Sequence, residues 1–333
     1  MTNQADHGWM TCRVVDTEAV TPSARRIVIE RPVPDGRRAD AGTHLDVRVN
    51  LPNGTTDVRS YSIVESDPTG RLLTLTVHRA PASRGGSAFM HSLEIGAEIE
   101  ATRPLQDFPL APGADGYVLL AGGIGITALI EAARVLKRLG AHYQLVYAGR
   151  TRDAMPYLDA LLAEHGDRVS LHVSDEDSSL DVEVLVEDIA QRPGRHELLM
   201  CGPVRLMDAV RRAWARAELS AVDLRFETFG NSGWYRPQSF EVHLPEQGIS
   251  AIVDENQTML EALSAAGADL MWDCRKGECG LCVMAVTDVQ GELDQRDVFL
   301  SERQSKQGDR VCTCVSRVAA PAGSCASVTL RTP

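Results

Sequence analysis

Hydrophobic and polar positions change their spacing twice along the chain, and these changes divide it into three parts. Residues 12–110 carry short alternating runs, as at 43–49 and 72–78, with turn signals between them such as the one at 67–70. Alternation with a period of two is typical of half-buried strands, and closely spaced turns favour a small antiparallel barrel. We therefore predict an antiparallel β-barrel domain over residues 1–110.

From Gly116 onward, apolar runs alternate with amphipathic segments of helical period. Strands are predicted at 117–121, 143–147, 169–173 and 197–201, and helices at 127–139, 153–164, 182–189 and 205–217. Strands that alternate with helices imply a parallel sheet in a doubly wound α/β domain. We place this domain at residues 111–230.

A third pattern follows the small and glycine residues Gly230-Asn231-Ser232-Gly233, which predict a linker over residues 231–240. Two strands at 239–244 and 250–253 and a helix at 259–266 then precede a cysteine-rich loop. We predict a small third domain over residues 241–333.

Five of the eight cysteines lie within 41 residues, and they are Cys274, Cys279, Cys282, Cys312 and Cys314. The first three are spaced Cys-x4-Cys-x2-Cys with a fourth cysteine about 30 residues later, which is the spacing of plant-type [2Fe–2S] ferredoxins. Zinc sites usually combine paired cysteines with a second pair or with histidines, and only His243 lies beyond residue 196. The spacing favours an iron–sulfur cluster and leaves Cys312 and Cys314 open as the fourth ligand.

Charge and apolar content exclude several classes of protein. The formal net charge is −12, which argues against a nucleic-acid partner because phosphate binding needs a basic surface. The longest apolar stretch, at 117–130, is too short to span a bilayer, and the first 13 residues lack the apolar core of a signal peptide. We therefore expect a cytoplasmic protein with reduced thiols.

Two segments of the predicted α/β domain are suited to binding a dinucleotide. The run Gly122-Gly123-Ile124-Gly125-Ile126-Thr127 follows a buried strand and opens a helix, a setting in which backbone amides can approach a pyrophosphate. Cys201-Gly202-Pro203 ends the last predicted strand, and ligands bind at the carboxyl ends of such strands. A plain tight turn and a buried cysteine are the alternatives.

Two segments of the predicted barrel are suited to binding a phosphate-bearing cofactor. Arg59-Ser60-Tyr61-Ser62 lies at the edge of a predicted strand, and Ser83-Arg84-Gly85-Gly86-Ser87 opens a predicted helix at 88–93. The second segment offers an arginine, free amides, a hydroxyl and a helix N-terminus, which suit a phosphate monoester. An ordinary strand surface and a capping turn are the alternatives.

Taken in this order, these segments resemble the phthalate dioxygenase reductase family, which includes reductases of vanillate demethylase type. Asp107-Phe108-Pro109-Leu110 and Phe226-Glu227-Thr228-Phe229-Gly230 belong to the same resemblance, which covers about residues 12–333. It implies a flavin-binding β-barrel, a doubly wound NAD(P)H-binding domain and an α+β β-grasp domain of plant-type ferredoxin fold.

The resemblance also implies roles for individual residues. The implied FMN-binding residues are Arg59, Ser60, Tyr61, Ser62, Val77, His78, Arg79, Arg84, Gly85, Gly86 and Ser87. The implied NADH-binding residues are Gly122, Gly123, Ile124, Gly125, Thr127, Arg150, Cys201, Gly202 and Pro203. The implied residues at the reacting atoms are Ser62, Cys201 and Phe229, with Phe229 covering the flavin until the nicotinamide displaces it; packing between domains is its alternative. The implied cluster ligands are Cys274, Cys279, Cys282 and Cys314.

The implied activity is that of the reductase component of a multicomponent oxygenase or demethylase. Such a protein takes hydride from NADH to FMN and passes single electrons through a [2Fe–2S] cluster to a Rieske-type terminal oxygenase. Arg150 and Arg152 could accept the 2′-phosphate of NADPH, whereas Asp153 and Asp175 oppose it, so the resemblance decides for NADH. We expect a monomer. A cytochrome P450 as the partner, and a non-enzymatic iron–sulfur carrier or sensor, are the alternatives.

Overall fold

The structure, a computed structural model, describes residues 8–52, 54–80, 84–229, 233–320 and 325–332. Ser83 and the linker residues 230–232, which the sequence analysis singled out, lie outside these ranges. The chain forms two compact units, Met1–Gly202 with Ala213–Glu227 and Pro203–Arg212 with Thr228–Pro333. The boundaries of the three predicted domains stay predictions.

The first unit contains a closed antiparallel barrel. Its strands are β1 (Met10–Thr21), β2 (Ala24–Glu30), β3 (Thr43–Asn50), β4 (Thr56–Ser66), β5 (Leu72–His78), β6 (Glu98–Ala101) and β7 (Leu105–Gln106), and helix α1 (Gly86–Ser92) follows β5. The strand order is β4-β5-β2-β1-β6-β3, and β3 also pairs with β4, which closes a ring of six strands with β7 beside β3. Alternating apolar residues such as Val47, Leu73 and Leu75 fill the core. The predicted barrel is confirmed.

The first unit also contains a five-stranded parallel sheet. Its elements are β8 (Gly116–Gly122), α2 (Ile130–Arg138), β9 (Tyr143–Gly149), α3 (Leu158–His165), β10 (Val169–Val173), α4 (Val182–Gln191), β11 (His196–Cys201), α5 (Val204–Arg216) and β12 (Leu224–Glu227). The residues of α5 up to Arg212 belong to the second unit. The strand order is β10-β9-β8-β11-β12, and every pair is parallel. The chain runs from β8 outward to β10 and then returns to the other side of β8. The switch point, where such sheets bind ligands, therefore lies between β8 and β11.

Two helices near the glycine segments begin at other residues than the pattern predicts. The predicted helix at 127–139 is divided into a 3-10 helix, Gly123–Ala128, and α2. In the barrel, α1 begins at Gly86 rather than at residue 88, so Ser87 lies within its first turn. The glycine turn is thus a tightly wound segment in its own right, and the longer helix starts only after it.

Helix α3 begins at Leu158, five residues later than predicted. Met155 precedes Pro156 and is extended, because the proline ring disfavours helical backbone at the residue before it. Tyr157 then has a φ of +63°, which no α-helical residue adopts. The helical period of the side chains therefore extends further than the helix itself.

The second unit is built around a mixed sheet. Its further elements are β13 (Phe240–Leu244), β14 (Ile249–Val253), α6 (Met259–Ala265), β15 (Val283–Gln290), β16 (Glu292–Asp294), α7 (Glu302–Gln307), β17 (Arg310–Cys312), β18 (Arg317–Ala319) and β19 (Ser327–Arg331). The strand order is β14-β13-β19-β15-β17, with only β13 and β19 parallel, and β16 pairs with β18. Met259 and Leu263 of α6 pack into its core. This is the expected α+β arrangement. Across the described ranges, no helix has the length and apolar content needed to cross a membrane.

Candidate functional site

The two predicted flavin segments lie together in the barrel. The Arg59 guanidinium pairs with the Asp57 carboxylate and donates a hydrogen bond of 2.8 Å to the Val58 carbonyl. A Cβ added at Gly86 would lie 2.9 Å from Arg59 Cγ, so the absence of a side chain at Gly86 leaves room for the Arg59 side chain. Gly85 has a φ of +101°, which favours glycine. An arginine, two glycines and the start of α1 therefore surround one spot.

The remaining predicted flavin residues flank this spot on β4 and β5. Tyr61 packs against the barrel core, and burial raises the pKa of its hydroxyl. Val77 is buried and its carbonyl accepts a hydrogen bond of 2.8 Å from the His91 ring. His78 ends β5, and burial lowers the pKa of its imidazole, with the charge of His91 as a second cause.

Ser60, Arg79, Arg84 and Ser87 complete the predicted flavin set. Ser60 donates a hydrogen bond of 2.6 Å to Asp46, and the Arg79 amide donates one of 2.7 Å to the Ser23 carbonyl. Ser87 Oγ accepts a hydrogen bond of 3.2 Å from the Ala80 amide. Arg84 lies two residues before α1 and is half-buried.

A buried group of three side chains links the barrel to the parallel sheet within the first unit. Ser62 Oγ donates a hydrogen bond of 3.2 Å to Glu227 Oε2, and both residues are buried. Glu227 lies opposite Cys201 in the register of β11 and β12, and Cys201 is fully buried. Ser62 and Cys201, two of the residues predicted at the reacting atoms, are therefore brought together around one carboxylate.

Glu227 is a buried residue beside these side chains to which the sequence pattern assigns no role. Its segment is part of the family resemblance, but the sequence pattern predicts no strand at β12. The sequence therefore does not place the Glu227 carboxylate beside Cys201 in the sheet. An acidic residue that ends a half-buried strand next to a cysteine-ended strand is the signal that could have found it. Phe229, the third residue predicted at the reacting atoms, is half-buried and belongs to the second unit.

The glycine turn packs directly against the end of β11. A Cβ added at Gly125 would lie 2.1 Å from the carbonyl oxygen of Cys201 and 2.9 Å from the amide of Gly202, so only glycine fits there. Thr127 is buried, and its hydroxyl donates a hydrogen bond of 2.9 Å to the Ile124 carbonyl. The two predicted nucleotide segments thus meet at the switch point of the sheet. Pro203, the last residue of these segments, precedes α5 and belongs to the second unit.

Charged side chains follow β9 and β10, at the same edge of the sheet. Arg150 is exposed, and its carbonyl accepts a hydrogen bond of 3.1 Å from the Asp175 amide. Arg152 donates two hydrogen bonds, of 2.6 and 2.8 Å, to the two carboxylate oxygens of Glu176. This two-point contact lowers the pKa of Glu176 and raises that of Arg152. Arg152 is therefore held by a carboxylate.

The cysteine loop of the second unit points backbone amides at a sulfur. The amides of Lys276, Glu278 and Cys279 each lie 3.4 Å from Cys274 Sγ, within hydrogen-bonding distance. Gly277 has a φ of +77°, and a Cβ there would lie 2.7 Å from a methyl carbon of Val315. The loop therefore depends on its glycine and presents donors to a thiolate.

Gly280 is required in the same loop for a second reason. It has a φ of +76°, and a Cβ there would lie 2.2 Å from the ring of Phe299. Both glycines of the Cys-x4-Cys-x2-Cys segment therefore occupy backbone conformations and spaces that a side chain would disturb.

The four predicted cluster ligands form a continuous group of sulfurs. The Cys314 thiol makes hydrogen bonds to both Cys274 and Cys282, whereas the Cys312 thiol makes one to Cys282. The Cys314 thiol is the main cause that lowers the pKa of Cys274 to about 4, and the loop amides lower it further. Cys279 also contacts Cys274, and burial raises the pKa of its thiol. Cys282, Cys312 and Cys314 are buried with Leu260 and Val315.

This donor set fits a [2Fe–2S] cluster. The four thiols are linked by contacts of Cys314 with Cys274 and Cys282 and of Cys279 with Cys274, and backbone N–H groups lie near one sulfur, which suits a cluster whose sulfurs accept hydrogen bonds. Among the described residues, no three His, Cys, Asp or Glu side chains are arranged around a single metal ion, and a [2Fe–2S] cluster, in which each iron takes two protein thiolates, does not need such a group. The site is thus a group of thiols in contact. Cys12 is buried and Cys325 exposed, and both lie apart from this group in the chain.

Comparison with known proteins identifies the cysteine-containing part of the chain. The family described as "2Fe-2S iron-sulfur cluster binding domain" matches residues 242–319. The chain is 37% identical over 283 residues to the phenoxybenzoate dioxygenase subunit beta of Ectopseudomonas oleovorans, an alignment that covers 83% of this chain and 84% of the relative.

Solved structures extend the similarity to the whole chain. Phthalate dioxygenase reductase, described as a modular structure for electron transfer from pyridine nucleotides to [2Fe–2S], superposes with a TM-score of 0.72 at 28% identity, covering 99% of this chain and 100% of that one. An intact type IV self-sufficient cytochrome P450 monooxygenase gives 0.63 at 33% identity, covering 97% of this chain. This chain spans only 41% of that larger protein. The chain therefore belongs to the phthalate dioxygenase reductase family, the reductase components of oxygenase systems.

Proposed function

We propose that this chain oxidises NADH and delivers single electrons, through bound FMN and a [2Fe–2S] cluster, to a Rieske-type terminal oxygenase in the cytoplasm, acting as a monomer. One observation supports this most strongly: a single chain contains both the buried Ser62–Glu227–Cys201 group and the four-cysteine group. The flavin, when bound, would accept two electrons as hydride and release them one at a time, which the cluster alone cannot do.

The residues of the first unit bind and orient the reactants in this proposal. Arg59 offers a planar guanidinium to the flavin phosphate, and Gly125 lets the nucleotide-binding turn lie against the end of β11. Ser62 holds a hydroxyl proton at its Oγ, and the buried Glu227 carboxylate accepts that hydrogen bond and fixes its direction. In the second unit, Cys274, Cys279, Cys282 and Cys314 would hold the two irons.

The test of this function is NADH-driven reduction of a one-electron acceptor by the purified chain. Bound flavin together with NADH-dependent reduction of cytochrome c is the expected result. A chain that binds no flavin and reduces no acceptor would be an iron–sulfur carrier or sensor instead of a reductase.

A cytochrome P450 partner is the second candidate, and the similarity to a self-sufficient P450 favours it. In that protein, however, the similar part is under half of the chain, whereas phthalate dioxygenase reductase matches over its full length. We therefore place the Rieske-type partner first. Electron transfer from the reduced chain to a purified Rieske oxygenase, but not to a bacterial P450, is expected.

FMN rather than FAD is proposed because Arg59, Gly85 and Gly86 are suited to a terminal phosphate. We expect Arg59→Ala to raise the dissociation constant of FMN, measured by quenching of flavin fluorescence, while that of riboflavin, which has no phosphate, stays within twofold. Loss of a hydrogen bond to a charged group costs about 1.5–3 kcal/mol, or about 10- to 100-fold in affinity. Arg48→Ala, which removes an exposed arginine of β3 paired with Glu100, is the control. An equal loss of riboflavin binding would contradict the phosphate site.

NADH rather than NADPH is proposed because Glu176 holds Arg152 in a two-point contact. We expect Glu176→Gln to free this arginine for a 2′-phosphate and to raise kcat/KM for NADPH about 10-fold, equivalent to about 1.4 kcal/mol, with NADH within twofold. Steady-state kinetics with both nucleotides measures the ratio. Asp188→Asn, which breaks the exposed ion pair with Arg192, should leave the ratio unchanged. An unchanged ratio in Glu176→Gln would remove Glu176 from nucleotide selection.

A further inference from the structure

One residue far from the cysteine loop in sequence contacts it directly within the second unit. Thr228 is buried, and its backbone N–H donates a hydrogen bond of 2.6 Å to Glu278 Oε1. Its hydroxyl lies 2.7 Å from the Lys276 carbonyl and 2.8 Å from the same Glu278 oxygen. These partners are 48 and 50 residues further along the chain. Thr228 therefore braces the loop between Cys274 and Cys279 from outside.

The two loop residues that Thr228 contacts, Lys276 and Glu278, also lie next to the sulfur of Cys274. The amides of Lys276 and Glu278 are two of the three that lie 3.4 Å from Cys274 Sγ. Thr228 thus contacts the carbonyl of Lys276 and the side chain of Glu278, the two residues whose backbone N–H groups lie near the sulfur. A small displacement at Thr228 would be transmitted to both N–H···S contacts.

The loop needs such a brace because its backbone is strained. Arg275, between Cys274 and Lys276, has a φ of +53°, a strained backbone conformation for a non-glycine residue. Gly277 follows at +77°, so two residues with positive φ flank Lys276. A conformation of this kind persists only where surrounding contacts hold it, and Thr228 supplies contacts on both sides of Gly277.

We propose that Thr228 is a positioning residue that sets the reduction potential of the iron–sulfur cluster by holding the amides of Lys276 and Glu278 toward Cys274 Sγ. This proposal rests on the proposed function, in which the cluster takes one electron that NADH supplies. The added electron increases the negative charge on the sulfurs, and N–H···S hydrogen bonds stabilise that charge, so their strength tunes the potential. Loss of the Thr228 contacts would weaken the N–H···S hydrogen bonds to Cys274 and make the cluster harder to reduce.

The test is an anaerobic redox titration of the full chain, with the cluster followed by EPR and the flavin by absorbance. Thr228→Val removes the hydroxyl and keeps the size and the backbone N–H. We expect its cluster potential to shift to more negative values while the flavin potential stays at that of the wild type. Thr228→Ser, which restores the hydroxyl, should return the cluster potential to the wild-type value. Thr287→Val is the matched control, because Thr287 donates a hydrogen bond of 3.1 Å to the Thr329 carbonyl on the sheet.

An unchanged cluster potential in Thr228→Val at full iron content would overturn the proposal, and so would a Thr228→Ser variant that behaves like valine. If Thr228→Val takes up no cluster, Thr228→Ala is titrated in its place. If neither variant takes up a cluster while Thr228→Ser does, Thr228 is needed for assembly of the cluster and the proposal is wrong. Absence of any [2Fe–2S] signal in the wild type would instead refute the proposed function.

Discussion

Replacing Cys314 by serine is expected to abolish the absorbance and EPR signal of the cluster, whereas replacing Cys312 by serine leaves both. Cys314 makes hydrogen bonds to the sulfurs of Cys274 and Cys282 and so lies between two other predicted ligands. Cys312 ends β17, and the hydrogen bond of its thiol is to Cys282. Iron and sulfide content, with EPR of the reduced sample, measures the difference.

The same two variants should reduce flavin at the wild-type rate, because Ser62, Glu227 and Cys201 belong to the other unit. Cys325→Ser, at an exposed cysteine, is the control and should keep the cluster. Loss of the cluster in Cys312→Ser with retention in Cys314→Ser would reverse the assignment of the fourth ligand. Retention in both variants would disprove a four-cysteine site of this composition.

Replacing Glu227 by glutamine is expected to slow the reduction of the flavin by NADH about 100-fold. Glutamine keeps the shape of the side chain but removes the charge that directs the Ser62 hydroxyl, and positioned proton donors and acceptors contribute about 10²–10⁴-fold to rate. Stopped-flow absorbance of the flavin under anaerobic conditions gives the rate. FMN affinity and cluster content should be those of the wild type.

Glu94→Gln, at an exposed carboxylate after α1, controls for the loss of a negative charge in the same unit. A rate within about threefold of the wild type in Glu227→Gln would mean that this carboxylate only fills space beside Cys201. Ser62→Ala should then also be without effect, because the two residues share one hydrogen bond.

The sequence predicts those parts of the molecule whose signals are local. The glycine turn and Cys201 were placed at the ends of β8 and β11 because buried strands precede them, and the structure brings Gly125 against the Cys201 carbonyl. The beginning of α3 was predicted too early, since Pro156 acts on the backbone of Met155 while the helical pattern of side chains continues through it.

Contacts between distant parts of the chain could not be predicted. Ser62 and Glu227 are separated by 165 residues, and nothing around either residue indicates the other. Thr228 lies just before the predicted linker, and nothing at that position indicates its contacts with Lys276 and Glu278, 48 and 50 residues later. Spacing alone leaves Cys312 and Cys314 equivalent, because the thiols that each one contacts, Cys282 for Cys312 and both Cys274 and Cys282 for Cys314, are set by tertiary folding.

In the proposed function, one chain carries electrons from NADH through a flavin to an iron–sulfur cluster. The most direct measurement is low-temperature EPR of the purified chain after anaerobic addition of NADH, with and without bound FMN. We predict the signal of a reduced [2Fe–2S] cluster in the FMN-loaded sample and no signal in the flavin-free sample. If NADH leaves the cluster oxidised when FMN is bound, the proposed electron path is wrong. The same conclusion follows if NADH reduces the cluster equally well without flavin.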